Sequence, residues 1–502
     1  MTVRLRVPSF SHSLFAGRSG ESPMPSSHEQ EDPVAGLATG GPRLRVISIN
    51  DVYSLENLPR LKSLVRHRLE TDPADTALVV VAGDFVAPSI LSALDHGRGM
   101  IDCLNAIGVT HASLGNHEND IPPEELHHRV GELRATWLSS NVQFDPAMPR
   151  TAVVEVQRGA RLVRVGLVAV VMNDPFVPHG NPFGGAPMRP AEAAALDEAA
   201  RLTHDMRCGC ILALTHQPMD DDRRLAQAAS AAAIPLPLII GGHEHVPFLE
   251  QAGRTWIVKS GMDAAAACVT DLVWPSQPPE TEDMPQVLPR REPVAGYPED
   301  AALRARVDVH LAQVGALAAA TVAVFPPGRV LSSVGARARQ TTLGTLVCSR
   351  LRATLQADVC LLNGGGIRAS REYRTRLTYA ELRAEIPFSN EIVVAPIPGN
   401  VLRDAVAASR ARAPVEYGGF LQVDDGVSIE GSVITAVAGA PLDLMREYRV
   451  ALVRDLFTGL DHIEPLVRFA SEHPEKIPPP TTGRDIRHFL VEAFARQLRG
   501  VA

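Results

Sequence analysis

Residues 109–120 read VTHASLGNHEND: a short β-prone run that stops abruptly on Gly115-Asn116-His117-Glu118. The same grammar recurs on both sides. RLRVISIN (43–50) runs into Asp51, TALVVVAGD (76–84) ends on Asp84, CGCILALTH (208–216) ends on His216, and LPLIIGGH (236–243) delivers His243 with His245 two residues on. With RVGLVAVV (164–171), these apolar, β-branched runs read as buried strands, and the stretches 55–70, 88–106, 122–136 and 190–206 between them carry helical periodicity. Strands alternating with helices predict an α/β fold. In open α/β sheets, sites gather beyond the carboxyl ends of the strands, which is where the polar residues fall.

The bulk numbers narrow the class. A chain of 502 residues exceeds one core and predicts two or more domains. A net charge of −8 excludes a general nucleic-acid binder, and no apolar run approaches the ~20 residues that span a bilayer. Residues 1–41 are rich in Ser, Pro and Gly, lack the apolar core of a secretory signal and read as a disordered tail, with Arg4, Arg6 and Arg18 leaving a weak organellar-transit reading. The six cysteines, Cys208 and Cys210 included, follow no disulfide or zinc spacing and read as reduced core thiols, which favours a cytoplasmic location. A catalytic domain is expected over 42–290. Residues 274–298, proline-rich and aperiodic, read as a linker or surface excursion, with 291–320 as linker and connecting helix (the helix itself from about Glu299 to Ala319). A second α/β domain follows over 321–502.

The polar strand ends share one chemistry. Asp51 and Asp84 offer carboxylates, one of which can bridge two cations; Asn116 offers an amide oxygen; His216, His243 and His245 offer imidazole nitrogens. His243 and His245 face the same way in an extended segment. By contrast His96, His111, His127, His128 and His204 lack such partners in the sequence and read as surface or core histidines.

In their order and spacing these strings resemble the 5′-nucleotidase family of the calcineurin-like metallophosphoesterases, over almost the whole chain after residue 42. The resemblance implies a four-layer αββα sandwich, a connecting helix and a C-terminal substrate-binding domain. It implies two divalent metal ions (Mn, Zn, Co or Fe) bridged by Asp84, with Asn116, His216 and His243 completing one site and Asp51 and His245 serving the other. His117 becomes the catalytic histidine and Asp120 its orienting partner. Two cations ~3.5–4 Å apart lower the pKa of a bound water and align an in-line attack on phosphorus by the resulting hydroxide. His117 can protonate the leaving alkoxide, and Asp120 can fix its tautomer.

Tyr53 departs from the family's Asp-x-His at the first string. A phenol of pKa ≈ 10 must ionise to be a strong ligand. Three readings follow: phenolate ligation with altered metal preference, a tyrosine that lines the site while water ligates, or loss of the first site. In the C-terminal half, Arg339-Gln-Thr-Thr-Leu-Gly344 and Asn363-Gly-Gly-Gly-Ile-Arg368 resemble substrate-binding strings, with Arg339 and Arg368 toward phosphate. Phe388 and Phe457 are expected to clamp a nucleobase, with Asp461 nearby, in a stretch whose usual glycines are depleted. The implied activity is hydrolysis of nucleoside 5′-monophosphates, with a small-molecule nucleotide as partner and neither nucleic acid nor membrane. Alternatives are cyclic nucleotides, nucleotide sugars or other small phosphate esters, and a non-catalytic nucleotide-binding protein whose first metal site has decayed. Oligomeric state is not readable from the chain.

Overall fold

The computed structural model describes residues 40–173, 182–277, 284–317, 319–388, 390–479 and 483–498. Residues 1–39, and the tail and transit readings with them, lie outside the described residues.

Two six-stranded sheets stack face to face. The first runs in the order Gln286–Pro293, Ala266–Val273, Arg43–Ile49, Thr76–Ala82, His111–Ser113, Thr136–Leu138. The second runs Thr151–Arg158, Arg161–Val171, Cys210–His216, Leu238–Gly242, Thr255–Lys259, Phe248–Ala252. Strand alternation sorts their side chains. Leu44, Val46, Leu78, Val80, Leu212, Leu214, Leu238 and Ile240 point between the sheets and form one core. Ile47, Ile49, Val79 and Val81 face outward under the helices Leu58–Thr71 and Arg98–Ile107, while Ile211, Ala213 and Ile239 lie under Ala191–His204 and Met219–Ala231. The result is the four-layer αββα sandwich. In each sheet the central strands are parallel, so their carboxyl ends share one rim.

Two local expectations need correction. The helix expected over 88–106 is split: His96 and Gly97 adopt φ of 53° and 81°, ending one short helix, and Asp95 accepts the backbone N–H groups of Gly97 and Gly99 to start the next. The stretch 274–298 is not all linker, because Gln286–Pro293 pairs antiparallel along the whole of Ala266–Val273. Its Pro289 and Pro293 are tolerated because the strand is an edge, where a missing N–H breaks no ladder.

The helix Ala301–Leu317 follows and packs Leu303 and Val307 into the outer core of the first lobe. The second lobe is built on a five-stranded sheet, Leu421–Val423, Val359–Asn363, Glu447–Val453, Glu391–Pro398, Arg484–Asp485, with helices Thr342–Thr354, Gly399–Arg410 and Ile486–Leu498 around it. Ile90 and Leu94 of the first lobe pack against the second lobe's core. All six cysteines are buried as thiols outside any disulfide, and no described helix is long and apolar enough to cross a membrane.

Candidate active site

At the common rim, three of the expected ligand residues leave ordinary backbone space. Asp51, Asp84 and His243 have φ of 53°, 54° and 89°. A non-glycine residue held there costs of order 1–3 kcal/mol, and such strain clusters at functional sites. The surroundings over-determine it. Asp51 donates its N–H to Gly83 O and accepts the N–H of His243 on Oδ2 at 2.9 Å. Glu118 accepts the N–H groups of Asp84, Phe85, Val86 and Gly115 at 2.5–3.0 Å, wrapping the Asp84 turn around one carboxylate. The two sheets meet so closely that a Cβ on Gly242 would overlap Ala82 O and the His216 ring.

The side chains converge. Asp51, Asp84 and His216 are fully buried and offer ligand atoms that lie within 4.8 Å of one another. His216 Nε2 is 3.0 Å from Asp84 Oδ2 and 3.9 Å from Asp51 Oδ1, while its Nδ1 is 2.8 Å from Ala82 O, a contact that keeps Nε2 turned toward the two aspartates. His243 stands edge-on to His216 with ring centroids 5.6 Å apart, and His245 Nε2 is 3.7 Å from Asp51 Oδ1. The Tyr53 hydroxyl lies 3.1 Å from Asp51 Oδ1, 3.2 Å from Asp84 Oδ2 and 3.2 Å from His245 Nε2, pointing into the ligand set. Asn116 is buried at the start of the 3₁₀ turn Asn116–Asp120, which is tied to the cluster by His117 N–H donating to Asp84 Oδ1. His117 Nδ1 meets Asp120 Oδ2 at 2.7 Å.

Charge explains the titration behaviour. Burial lowers the pKa of His216, but Asp84 and Asp51 outweigh it and hold the ring up at about 10. Burial likewise opposes charge on His117, yet Asp120 and Asp84 raise it to about 9. His243, buried and facing His216, is pushed down to about 3. Burial and the two aspartates push the Tyr53 phenol well above 10. Two buried carboxylates thus call for compensating positive charge, and an oxygen and imidazole donor set suits first-row divalent ions.

Some contributors were not singled out by the sequence. Lys259, fully buried, donates to Gln217 O and Gly242 O at 2.8 Å, and pairs with Asp222 and Glu244, anchoring the His243–His245 turn. Its signal was available: it is one of three lysines in the chain, set at the end of a β-prone run. Asp263 accepts the N–H groups of Tyr53 and Ser54, and Arg484 of the second lobe places Nη1 3.0 Å from Asp120 Oδ2. No local string marks either.

The second-lobe candidates fall into separate groups. Asn363 donates to Asp461 at 2.6 Å. The Arg368 guanidinium lies 5.5 Å from the ring centre of the exposed Phe388 and borders a cavity of about 220 Å³ with Arg337 and Glu416. Arg339 is turned onto Val334 O. Phe457 is a correction: its turn buries the ring beside Leu456 in the lobe's core, leaving no face for a base. None of these six residues lines the cavity of about 510 Å³ beside the expected ligands, whose walls include Tyr53, His117, His245, Glu391, Arg484 and His488.

Two family profiles match the chain, calcineurin-like phosphoesterase over residues 44–247 and 5′-nucleotidase C-terminal domain over 316–468. The 5′-nucleotidase of Homo sapiens is 23% identical over 443 residues, spanning 77% of this chain and 75% of its own; that of Bos taurus is 23% identical over 414 residues, spanning 75% and 70%. Among solved structures, the NAD nucleotidase of Haemophilus influenzae superposes with a TM-score of 0.70 at 14% identity, over 91% of this chain and 96% of that one. A 5′-nucleotidase precursor from Thermus thermophilus gives 0.53 at 19% identity, over 91% and 97%. The structural likenesses are of fold.

Proposed function

We infer that this chain, which belongs to the 5′-nucleotidase family of the calcineurin-like metallophosphoesterases, is a metal-dependent phosphatase that cleaves nucleoside 5′-monophosphates to nucleoside and phosphate. The observation that carries the reading is the meeting of Asp51, Asp84 and His216 within 4.8 Å, at strand ends of two different sheets, with the His117–Asp120 pair beside them. Asp51, Asp84, Asn116, His216, His243 and His245 would hold two divalent ions, Asp84 between them. Bound there, the ions supply Lewis acidity toward the phosphoryl oxygens and toward water.

The chain's own groups do the rest. His117, charged beside Asp120, donates a proton to the departing ribose oxygen. Tyr53, whose hydroxyl touches Asp51 and His245, would offer an oxygen to an ion those residues held, in place of the family's imidazole. Asn363, Asp461, Arg368 and Phe388 hold the nucleoside and its phosphate, with Phe388 as the single stacking ring.

Phosphate release should be assayed on nucleoside monophosphates, sugar phosphates and cyclic nucleotides with Mn, Zn, Co and Fe, beside Asp84→Ala. Metal-dependent turnover fastest on a nucleoside 5′-monophosphate and lost in Asp84→Ala supports the reading; faster turnover of simple sugar phosphates overturns the nucleotide assignment. Metal analysis should find two equivalents per chain. One or none under every supplement removes the two-ion site.

A further inference from the structure

The two histidines proposed to serve one ion leave neighbouring strands. Cys210–His216 and Leu238–Gly242 run parallel with His216 opposite Gly242, and that pair is the last of their ladder. A side chain takes over where the ladder stops. Lys259, the last residue of Thr255–Lys259, is fully buried, and its Nζ donates to Gln217 O and to Gly242 O, both at 2.8 Å. One carbonyl lies a residue after His216, the other a residue before His243. The same ammonium pairs with Asp222, 2.9 Å away on the helix Met219–Ala231, and with Glu244, which follows His243.

The backbone makes room for this contact. Gly241 takes no left-handed angle, so turning the chain is not what requires a glycine there. A Cβ on it would stand 2.7 Å from Lys259 Cε and 3.0 Å from Asp222 Oδ2, and the lysine, held at its tip by four acceptors, could not swing aside without losing them. Gly241 is the slot through which the stem passes. Charged hydrogen bonds from a buried ammonium are strong, so a tilt of either strand end against the other is opposed. The other buried cations of this lobe, Arg43, Arg45 and Arg129, bond no backbone beside an expected ligand among the described residues: Arg45 reaches the carbonyls of Arg68 and Asp72, and Arg129 that of Asp95. Lys259 is set apart by what it joins.

We propose that Lys259 is a positioning residue of the metal centre, fixing the His216 and His243 strand ends against each other and so setting how tightly the ion they share is held. This rests on the metal-dependent reading of the site for the presence of that ion. Zinc takes imidazole nitrogens at ~2.0–2.1 Å, so a small displacement of one strand end is felt in the affinity. Lys259 touches neither ion nor substrate in this role; it acts through the Gln217 and Gly242 carbonyls.

Mn(II) and Zn(II) are the probes, titrated by calorimetry into the full-length protein after chelator treatment, for wild type, Lys259→Met, Lys259→Gln and Asp271→Asn. Lys259→Met keeps the stem and loses the donors, and should weaken at least one ion equivalent by ~10-fold or more, the usual worth of a contact that orients ligands. Lys259→Gln, which retains an N–H donor, should weaken it less. Asp271→Asn breaks a buried ion pair near the start of the strand whose far end leads to Asp51, and should leave both affinities within about twofold of wild type while lowering stability. A folded Lys259→Met whose ion affinities stay within about twofold overturns the proposal. So does an equal loss in Asp271→Asn, which would make the effect one of stability alone. Should Lys259→Met fail to fold by circular dichroism, Lys259→Gln carries the test, and unchanged ion binding in it is equally fatal. Calorimetry needs no turnover. Ion binding that depends on Lys259 in a protein inert toward AMP would therefore sink the nucleotidase reading alone, whereas a wild type that binds neither ion removes the metal site and this proposal together.

Discussion

Asp120 serves two cations with one oxygen: His117 at 2.7 Å and Arg484 at 3.0 Å. The carboxylate raises the His117 pKa against the effect of burial, so the ring is a charged acid at neutral pH. Asp120→Asn removes that support. In chelator-treated protein, an NMR titration of His117 should give a pKa near 9 in wild type and a lower one in Asp120→Asn; an unmoved value would show that Asp120 does not govern the ring. His117→Ala should lower kcat by ~10²–10⁴-fold, the usual worth of general acid catalysis, while metal content stays at the wild-type level. Complete inactivity with loss of metal would instead make His117 a structural part of the ion site. Tyr53 belongs to the same scale. Its hydroxyl touches Asp51, Asp84 and His245, so the phenol stands among the expected ligands.

The elements that position the site differ in how plainly the sequence marks them. The strands read from it, such as Arg43–Ile49, Thr76–Ala82, Cys210–His216 and Leu238–Gly242, lie inside their sheets, where both faces are buried and the run stays apolar. In these two sheets the edge strands Gln286–Pro293, Thr151–Arg158 and Phe248–Ala252 escape such a reading because an edge tolerates charge and proline, and the edge Thr136–Leu138 escapes it because it is only three residues long. The strand ends that carry the proposed ligands were legible for the same reason the interior strands were. The braces were not, since Lys259 and Glu118 act on turns distant in sequence. Lys259→Met should therefore leave Asp222 and Glu244 without their cation and cost about 3–5 kcal/mol, readable by urea unfolding. A second brace joins Arg43 and Arg45 of the central strand to Asp271 on its neighbour and Asp72 beyond the first helix. Arg43 and Arg45 hold the Asp72 carboxyl below its ordinary value, and despite burial they do the same for Asp271. Folded pKa values below the unfolded ones mean stability that is present above about pH 4 and lost as pH falls through the folded values. Asp271→Asn should destabilise the protein at neutral pH and flatten the decline of its melting temperature between about pH 5 and 3. A variant with an unchanged acid slope would remove Asp271 from that role.

At the scale of the molecule, the two halves of the proposed reaction are apart. Of the proposed site residues, Tyr53, His117 and His245 line a cavity closed on the second-lobe side by Glu391, Gly483, Arg484, Asp485, Arg487 and His488. Arg368 instead borders a different cavity, and Asn363 is engaged with Asp461. If those residues hold the nucleoside, the second lobe must turn to carry a nucleotide's phosphate onto the ions. The described contacts between lobes, the Arg484–Asp120 pair and the packing of helix Ile486–Leu498 against Ser92–Asp95 with Ile90 and Leu94, are side-chain contacts and not a continuous sheet. Because all six native cysteines are buried, spin labels can be directed to Leu162→Cys in the first lobe and Met445→Cys in the second, both exposed positions. Distances between the labels, measured with Mn alone and then with a non-hydrolysable AMP analogue, should shift to a second population on adding the analogue. In Phe388→Ala that shift should need more analogue, since the stacking ring is gone. One unchanging distance in a protein that turns over AMP would mean that the nucleotide enters the cleft as it stands, and that Arg368 and Phe388 have no part in holding it.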